Sequence, residues 1–312
     1  MIISFSKNRF KQIAGIVYWN RFTLLFFAIC AGVAYTLCVY FDYDHFCLPP
    51  IPVSILGGAL AIFLGFRNSS AYDRWWEARK IWGAVVNDSR SLGLELITYP
   101  IAVSEEDEKE ITVWRNSAIR RHIGWLYALN AHLRKAKIDL SPYMSEEEVK
   151  ALSKKSNLPT HIMIAQAKAI KEAYDKGWIE EFRLIELTAT LKKFYDDQGK
   201  AERIKNTIFP YYYNYFTMFF LWLFTLSLPF AMVSIQNNWV MIPMSIAISF
   251  AFFILNKSGV ITETPFVGGA ADTPISTICR GIEIDLLQMI DADDVPKPLE
   301  PTTGKFGVMY NS

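Results

Sequence analysis

The most informative absence in this sequence is a long stretch without ionisable residues. No Asp, Glu, Lys, Arg or His occurs from residue 206 to 256, although charged residues make up 20% of the chain. A helix needs about 20 apolar residues to cross the hydrocarbon core of a bilayer. The stretch is long enough for two crossings, and the polar residues 236–238 divide it into segments 213–235 and 239–255. We predict a helical hairpin in a membrane.

Signatures of enzymes and metal sites are missing as well. The motifs HExxH, GxSxG and GxxxxGK[ST] do not occur. The four cysteines lack the spacings of metal or redox sites; they are Cys30, Cys38, Cys47 and Cys279. We therefore predict a protein that is not an enzyme and that holds no metal or cofactor. A net charge of only +1 argues against nucleic acid as a partner.

Two further uncharged segments lie near the N-terminus, at residues 22–41 and 48–66. The first exceeds the apolar region of a cleaved signal peptide, so we expect four transmembrane helices that share the lipid bilayer. The positions before it are basic, whereas the connection after it carries Asp42 and Asp44 and no Lys or Arg. The positive-inside rule then places both termini in the cytoplasm.

Between the two membrane pairs the chain is charged and has a helical pattern. We predict helices over residues 112–137, 146–154, 160–176 and 180–196, with Ser145 and Glu148 in a capping box and with Gly177 and Gly199 as helix stops. Neither Pro nor Gly interrupts residues 66–79, so we expect the second membrane helix to continue into the cytoplasm.

The predicted fold is an all-α membrane protein with a cytoplasmic helical domain. We divide the chain into five parts: a cytoplasmic segment (1–21), transmembrane helices 1 and 2 (22–66), the helical domain (67–205), transmembrane helices 3 and 4 (206–256), and a cytoplasmic C-terminal helix and tail (257–312).

The composition of the four spans favours one transport mechanism over others. Carriers that are coupled to protons or ions use ionisable side chains at membrane depth, and these spans have none. A channel can instead be lined and gated by apolar side chains. We therefore favour a channel. The alternatives are a membrane-anchored interaction module, whose helical domain binds a cytosolic partner, and a carrier for small anions.

A single face of the second span carries the argument for a pore. Ile55, Gly58, Ile62 and Phe66 recur at helical spacing, and several copies of this face around an axis would form stacked apolar rings. The alternative is a stripe that faces lipid or packs against another helix, since small residues allow close helix contacts in membranes.

The same region resembles a known family. Residues 62–79 read Ile-Phe-Leu-Gly-Phe-Arg-Asn-Ser-Ser-Ala-Tyr-Asp-Arg-Trp-Trp-Glu-Ala-Arg, which is similar to the signature of bacterial bestrophins. A second match is the Thr-Pro-Phe segment at residues 264–266. The signature residues are Asp73, Arg74, Trp75, Trp76, Glu77, Pro265 and Phe266.

The resemblance implies a homopentameric ion channel whose pore is lined by the second span. Phe66 and Ile62 correspond to the apolar neck of the family. A third neck position falls on Gly58, where the family usually has a bulky apolar residue, so Ile55 is expected to replace it or the neck is wider there. The cytoplasmic constriction of the family corresponds to Ile179.

The resemblance also bears on ions, regulation and location. Eukaryotic bestrophins bind calcium through a run of acidic residues soon after the Pro-Phe pair, but here only Asp272 follows it closely. Calcium prefers six to eight oxygen ligands, so we expect no calcium activation.

The family includes cation and chloride channels. We favour Na⁺ and K⁺ over chloride as the permeating monovalent ions, and the bacterial inner membrane as the location.

Overall fold

The computed structural model describes residues 2–4, 9–207, 210–235, 239–269, 271–303 and 309–310. Helices dominate these ranges. The helices are α1 (Arg9–Tyr35), α2 (Pro50–Thr98), α3 (Glu105–Arg134), α4 (Glu146–Leu152), α5 (Leu158–Asp175), α6 (Glu181–Asn206), α7 (Tyr211–Ile235), α8 (Met241–Thr262) and α9 (Ile275–Met289). A π-helical turn at Thr36–Tyr40 ends α1, and a short 3-10 helix at Asp44–Phe46 follows.

Three short strands lie near the two ends of the chain. They are β1 (Ile2–Ser4), β2 (Thr302–Thr303) and β3 (Met309–Tyr310), and β3 pairs antiparallel with both others. This small sheet joins the N-terminal and C-terminal segments without changing the all-α character of the fold.

The described residues include four helical segments that are long and apolar enough to cross a membrane, as the sequence predicts. They are Ile13–Tyr40, Asp44–Thr98, Tyr211–Ser234 and Met241–Thr262. Buried residues of α1, α2, α7 and α8 form one apolar core between them, which includes Leu60, Leu64 and Phe224. The polar connection at 236–238, which divides the predicted hairpin, lies outside the described residues.

The second membrane helix continues far beyond the bilayer, which confirms the expectation from residues 66–79. Helix α2 has 49 residues, so it is about 74 Å long at 1.5 Å per residue. Its first half belongs to the membrane core and its second half, through Trp82 and Leu92, belongs to the core of the helical domain. Movement in one half is therefore transmitted to the other through continuous helix.

The helical domain confirms most of the predicted boundaries, but one helix stop is wrong. Ser145 and Glu148 form the predicted capping box, and Gly177 follows α5 with a φ of 80°. Gly199, however, lies inside α6, which continues to Asn206. Ala201 and Ile204 extend the buried face beyond the glycine. This burial outweighs the roughly 1 kcal/mol that a glycine costs within a helix.

A buried histidine makes the stability of this domain depend on pH. His122 packs against Trp125 and Phe194, and its Nε2 lies 2.9 Å from Ser89 Oγ. Burial disfavours the charged imidazolium and lowers the pKa of His122 to about 3. The unfolded chain binds a proton below about pH 6.5, which the folded chain does not bind until near pH 3. Stability therefore falls as the pH falls through this window.

We expect the free energy of unfolding to lose up to about 1.4 kcal/mol per pH unit from His122 alone as the pH falls below about 6. The measurement is denaturation of the full chain in detergent between pH 7 and pH 4.5. A His122→Gln variant should have a shallower slope, because it removes the group that takes up the proton. His132, which is partly exposed, provides the control, and His132→Gln should keep the wild-type slope. Equal slopes for His122→Gln and the wild type would contradict the assignment.

Candidate pore-lining face

The apolar stripe predicted from the sequence lies on the side of α2 that faces away from its own protomer. Ile55, Ile62 and Phe66 are 68%, 62% and 69% exposed, and Gly58 is exposed as well. The opposite side of the same helix is buried in the membrane core through Leu60 and Leu64. The stripe is therefore not used for packing within the protomer, and it is free to face lipid, another copy of the chain or water.

The two adjacent glycines of α2 have different surroundings. A Cβ atom on Gly57 would lie 2.7 Å from Cε2 of Phe224, so this glycine permits close packing of α2 against α7. A Cβ on Gly58 would meet no atom within 4 Å. Close helix packing thus occurs at Gly57, and Gly58 leaves open space on the exposed stripe.

Helix α7 holds α2 at both ends of this stripe. Near Phe66, the Tyr213 hydroxyl donates a hydrogen bond of 2.8 Å to the Phe63 carbonyl oxygen, and the two rings stack with centroids 5.3 Å apart. Just before the start of α2, the Leu48 amide donates to the Phe230 carbonyl oxygen, and the Ser234 hydroxyl donates to the Leu48 carbonyl oxygen. These contacts fix the segment that carries Ile55, Ile62 and Phe66.

The exposed face continues beyond Phe66 with acidic character. Asp73 follows Phe66 by about two helical turns and is exposed. One turn later, Glu77 forms a 2.7 Å salt bridge with Lys80, and both side chains are partly exposed. Within the described ranges Asp73 forms no ion pair. The charge on this part of the face is therefore negative, because the Glu77 and Lys80 charges offset each other.

The other signature residues have structural positions. The Arg74 guanidinium donates hydrogen bonds to the carbonyl oxygens of Ile204 and Thr207, at the C-terminal end of α6. It thereby satisfies carbonyl groups that the helix end leaves without partners. The rings of Trp75 and Trp76 lie 6.2 Å apart, and Trp76 is half exposed. The signature thus joins α2 to the C-terminal end of α6.

The Pro-Phe pair is an anchor in the helical domain. Phe266 is fully buried, and the Thr273 amide donates to the Pro265 carbonyl oxygen over 2.9 Å. Asp272 is also buried; its Oδ2 accepts from Arg134 at 2.9 Å and from the Gly268 amide at 3.0 Å. Burial raises the pKa of Asp272, and the nearby Arg134 charge opposes this shift. One oxygen of the single carboxylate that follows the Pro-Phe pair closely is therefore used inside the protein.

The expectation that Ile179 forms a cytoplasmic constriction is not met by its position. Ile179 is only 2% exposed and belongs to the core of the helical domain. The preceding Trp178 carbonyl oxygen accepts a 2.8 Å hydrogen bond from the Ile101 amide, which holds this segment against the connection between α2 and α3. A side chain buried in this way has no surface to present to a passage.

Two neighbouring residues that the sequence analysis did not single out have the required exposure. Phe182 and Ile185, in the first turns of α6, are 86% and 60% exposed. They lie opposite the buried face of α6, which includes Leu187 and Phe194. The signal in the sequence was a pair of apolar residues three positions apart among charged neighbours, which is unusual on the exposed side of a helix.

A further residue next to the stripe was also missed. Arg67 directly follows Phe66, yet it is only 2% exposed and contacts α8. In the sequence it is only a basic residue directly after the uncharged segment 48–66. Its burial depends on polar partners almost 200 positions further along the chain, which no local pattern could indicate.

A known protein family and several known proteins are similar to this chain over most of its length. The family described as bacterial/fungal bestrophin protein matches residues 13–288. The voltage-dependent anion channel-forming protein YneE of Escherichia coli (strain K12) is 32% identical over 254 residues, which cover 80% of each chain. The voltage-dependent anion channel-forming protein alr2987 of Nostoc sp. is 26% identical over 276 residues, covering 86% of this chain and 85% of the relative.

A solved structure extends the similarity to the fold. The crystal structure of a bacterial bestrophin homologue from Klebsiella pneumoniae has a TM-score of 0.79 and 28% sequence identity, and the match covers 87% of this chain and 98% of that chain. The family match includes α2 and the Pro-Phe pair, and the identity to YneE extends over most of the chain. The chain therefore belongs to the bacterial and fungal bestrophin family of ion channels.

Proposed function

We propose that this chain forms a homopentamer that conducts monovalent ions passively along a central five-fold axis, in the bacterial inner membrane and with both termini in the cytoplasm. One observation carries the proposal. In a protein of an ion channel family, an apolar face of a membrane helix is exposed at Ile55, Ile62 and Phe66 while the opposite face is packed. When five copies of this face surround a shared axis, the exposed apolar residues line the passage along it.

The narrow part of the passage is a neck formed by Ile62 and Phe66. These residues are one helical turn apart, so five copies of each give two apolar rings about 6 Å apart along the axis. An apolar constriction resists wetting and can close a pore without steric block. Gly58 has open space around it, so the neck widens at this level, and Ile55 supplies the next ring outward.

Phe182 replaces Ile179 as our candidate for the cytoplasmic constriction. Phe182 lies at the start of α6, which packs along the cytoplasmic half of α2 through the hydrogen bond between Thr190 and Glu95. Its high exposure in the protomer is compatible with an apolar ring, whereas the burial of Ile179 is not.

The charge beyond the neck supports our preference for Na⁺ and K⁺. Rings of acidic side chains favour cations in channels, and Asp73 provides one exposed carboxylate per protomer on the face that carries Phe66. The names of the relatives point the other way, since YneE and alr2987 are called anion channel-forming proteins. We favour cations because Asp73, the charge next to the proposed neck, belongs to this chain itself, whereas the names describe its relatives.

The reversal potential in a planar bilayer tests conduction and ion preference together. With purified protein and a higher NaCl concentration on one side, we expect single-channel currents that reverse close to the sodium equilibrium potential. Replacement of Na⁺ by a large organic cation should then reduce the current, whereas replacement of chloride by a large organic anion should not. Reversal near the chloride potential would contradict the cation preference, and an electrically silent protein would contradict the channel itself.

A further inference from the structure

Next to the proposed neck lies a buried positive charge. Arg67 immediately follows Phe66 on α2, and its side chain is 2% exposed. A guanidinium remains charged in proteins and loses its hydration when it is buried, so it needs charged or hydrogen-bonding partners. Because successive residues of an α-helix differ by about 100° in direction, the direction of Arg67 also sets that of Phe66.

Two partners of Arg67 lie on the side of α8. One guanidinium nitrogen donates a 2.7 Å hydrogen bond to Asn256 Oδ1, and another lies 3.2 Å from Oε2 of Glu263 in a salt bridge. Asn256 is itself buried, and its Nδ2 lies 3.2 Å from the Met218 sulfur on α7. The contacts of Arg67 therefore join α2 to α8 and, through Asn256, to α7.

The residue after Arg67 adds a second attachment at the same level. Asn68 Nδ2 donates a 3.1 Å hydrogen bond to the Leu255 carbonyl oxygen on α8. A Cβ atom on Gly259 would collide with Asn68 Oδ1, so a larger residue there would require the Asn68 side chain to move. Two neighbouring residues of α2 thus face α8 directly after the exposed Phe66, and this limits rotation of α2 about its axis.

We infer that Arg67 is a positioning residue of the gate: its ion pair with Glu263 holds α2 in the rotation at which Phe66 points into the passage and keeps the neck closed. The inference rests on the proposed channel function and extends it to gating. Because Arg67 is buried, its charge does not line the passage. Loss of the pair should change how often the channel opens and leave the permeating ion unchanged.

The test compares single-channel records of Arg67→Met and Glu263→Gln with those of the wild type. Both substitutions keep the approximate size of the side chain and remove one charge. We expect the open probability to rise at least about tenfold, while the unitary conductance and the reversal potential stay as in the wild type. The exchange of both residues, Arg67→Glu with Glu263→Arg, should bring the open probability back toward the wild-type value.

The matched control is Arg90→Met, on the same helix. Arg90 forms a 2.8 Å salt bridge with Asp285, but both side chains are partly exposed and the pair lies more than six helical turns from Phe66. This variant should open like the wild type. If Arg67→Met does not give a folded oligomer on size-exclusion chromatography, Glu263→Gln alone decides, because it leaves Asn256 as a partner for Arg67.

The possible results are distinguishable. A silent wild-type protein would refute the proposed function. A conducting wild type whose open probability is unchanged or lowered in folded Arg67→Met or Glu263→Gln would overturn the inference while the channel stands. A changed reversal potential would overturn it too, because it would place Arg67 in the ion path. An equal effect of Arg90→Met would show that the gate does not depend on this particular pair.

Discussion

Replacing both Ile62 and Phe66 by alanine is expected to raise the open probability of the channel at least about tenfold, which corresponds to about 1.4 kcal/mol. Wetting apolar surface costs roughly 25 cal/mol per Å², and an aromatic side chain carries on the order of 150–250 Å². Five copies of each truncation therefore remove several kcal/mol from the cost of filling the neck with water, even if only part of each side chain faces the passage. Single-channel recording measures the change.

A matched control separates the neck from the remaining apolar surface of the spans. Leu223 on α7 is 45% exposed, and α7 is one of the membrane helices. Leu223→Ala also removes exposed apolar area, but away from α2, and should leave the open probability unchanged. If the double variant opens like the wild type, Ile62 and Phe66 face lipid or a packed interface, and the proposed neck is wrong.

Replacing Asp73 by lysine is expected to move the reversal potential in asymmetric NaCl from near the sodium equilibrium potential to near the chloride equilibrium potential. Asp73 lies seven residues beyond Phe66, about 10 Å along the helix. Electrostatic interactions at physiological ionic strength act over about 8 Å, so five like charges at this distance still affect ions that leave the neck. The substitution changes the charge of the proposed ring from −5 to +5. We therefore expect the ring to favour anions over cations, which moves the reversal potential toward the chloride equilibrium potential.

Two further variants define what such a result would mean. Asp73→Asn removes the charge without reversing it and should give an intermediate reversal potential. Glu147→Lys makes the same change of charge at an exposed position on α4, so it should have no effect. An unchanged reversal potential in Asp73→Lys would show that the carboxylate is remote from the ions and that the ion preference of the channel has another origin.

The architecture of the protein was predictable because it depends on local patterns. Uncharged segments of sufficient length identified four membrane helices, and the part of the chain that the structure describes contains four helices long and apolar enough to cross a membrane. The absence of Pro and Gly from residues 66–79 predicted that the second of them continues beyond its uncharged segment, which α2 does. The capping box at Ser145 was visible from two residues three positions apart. Each of these features depends on neighbours in the chain.

The predictions that failed depend on contacts between distant segments. Gly199 satisfies the local rule for a helix stop, but burial of Ala201 and Ile204 carries α6 past it. Ile179 has the character of a constriction residue, but the hydrogen bond from Ile101 to Trp178 holds its segment in the core. Neither outcome follows from the residues nearby in the sequence.

By itself the sequence determined the membrane character of the chain, its helical elements and the apolar stripe of α2, because charge, periodicity and helix breakers act over a few residues. Only the tertiary structure decided which side of α2 is packed, and therefore that Ile55, Ile62 and Phe66 are exposed while Arg67 is buried. The reason is physical: burial of the Arg67 charge needs Asn256 and Glu263, and folding brings these residues to it from the other end of the chain.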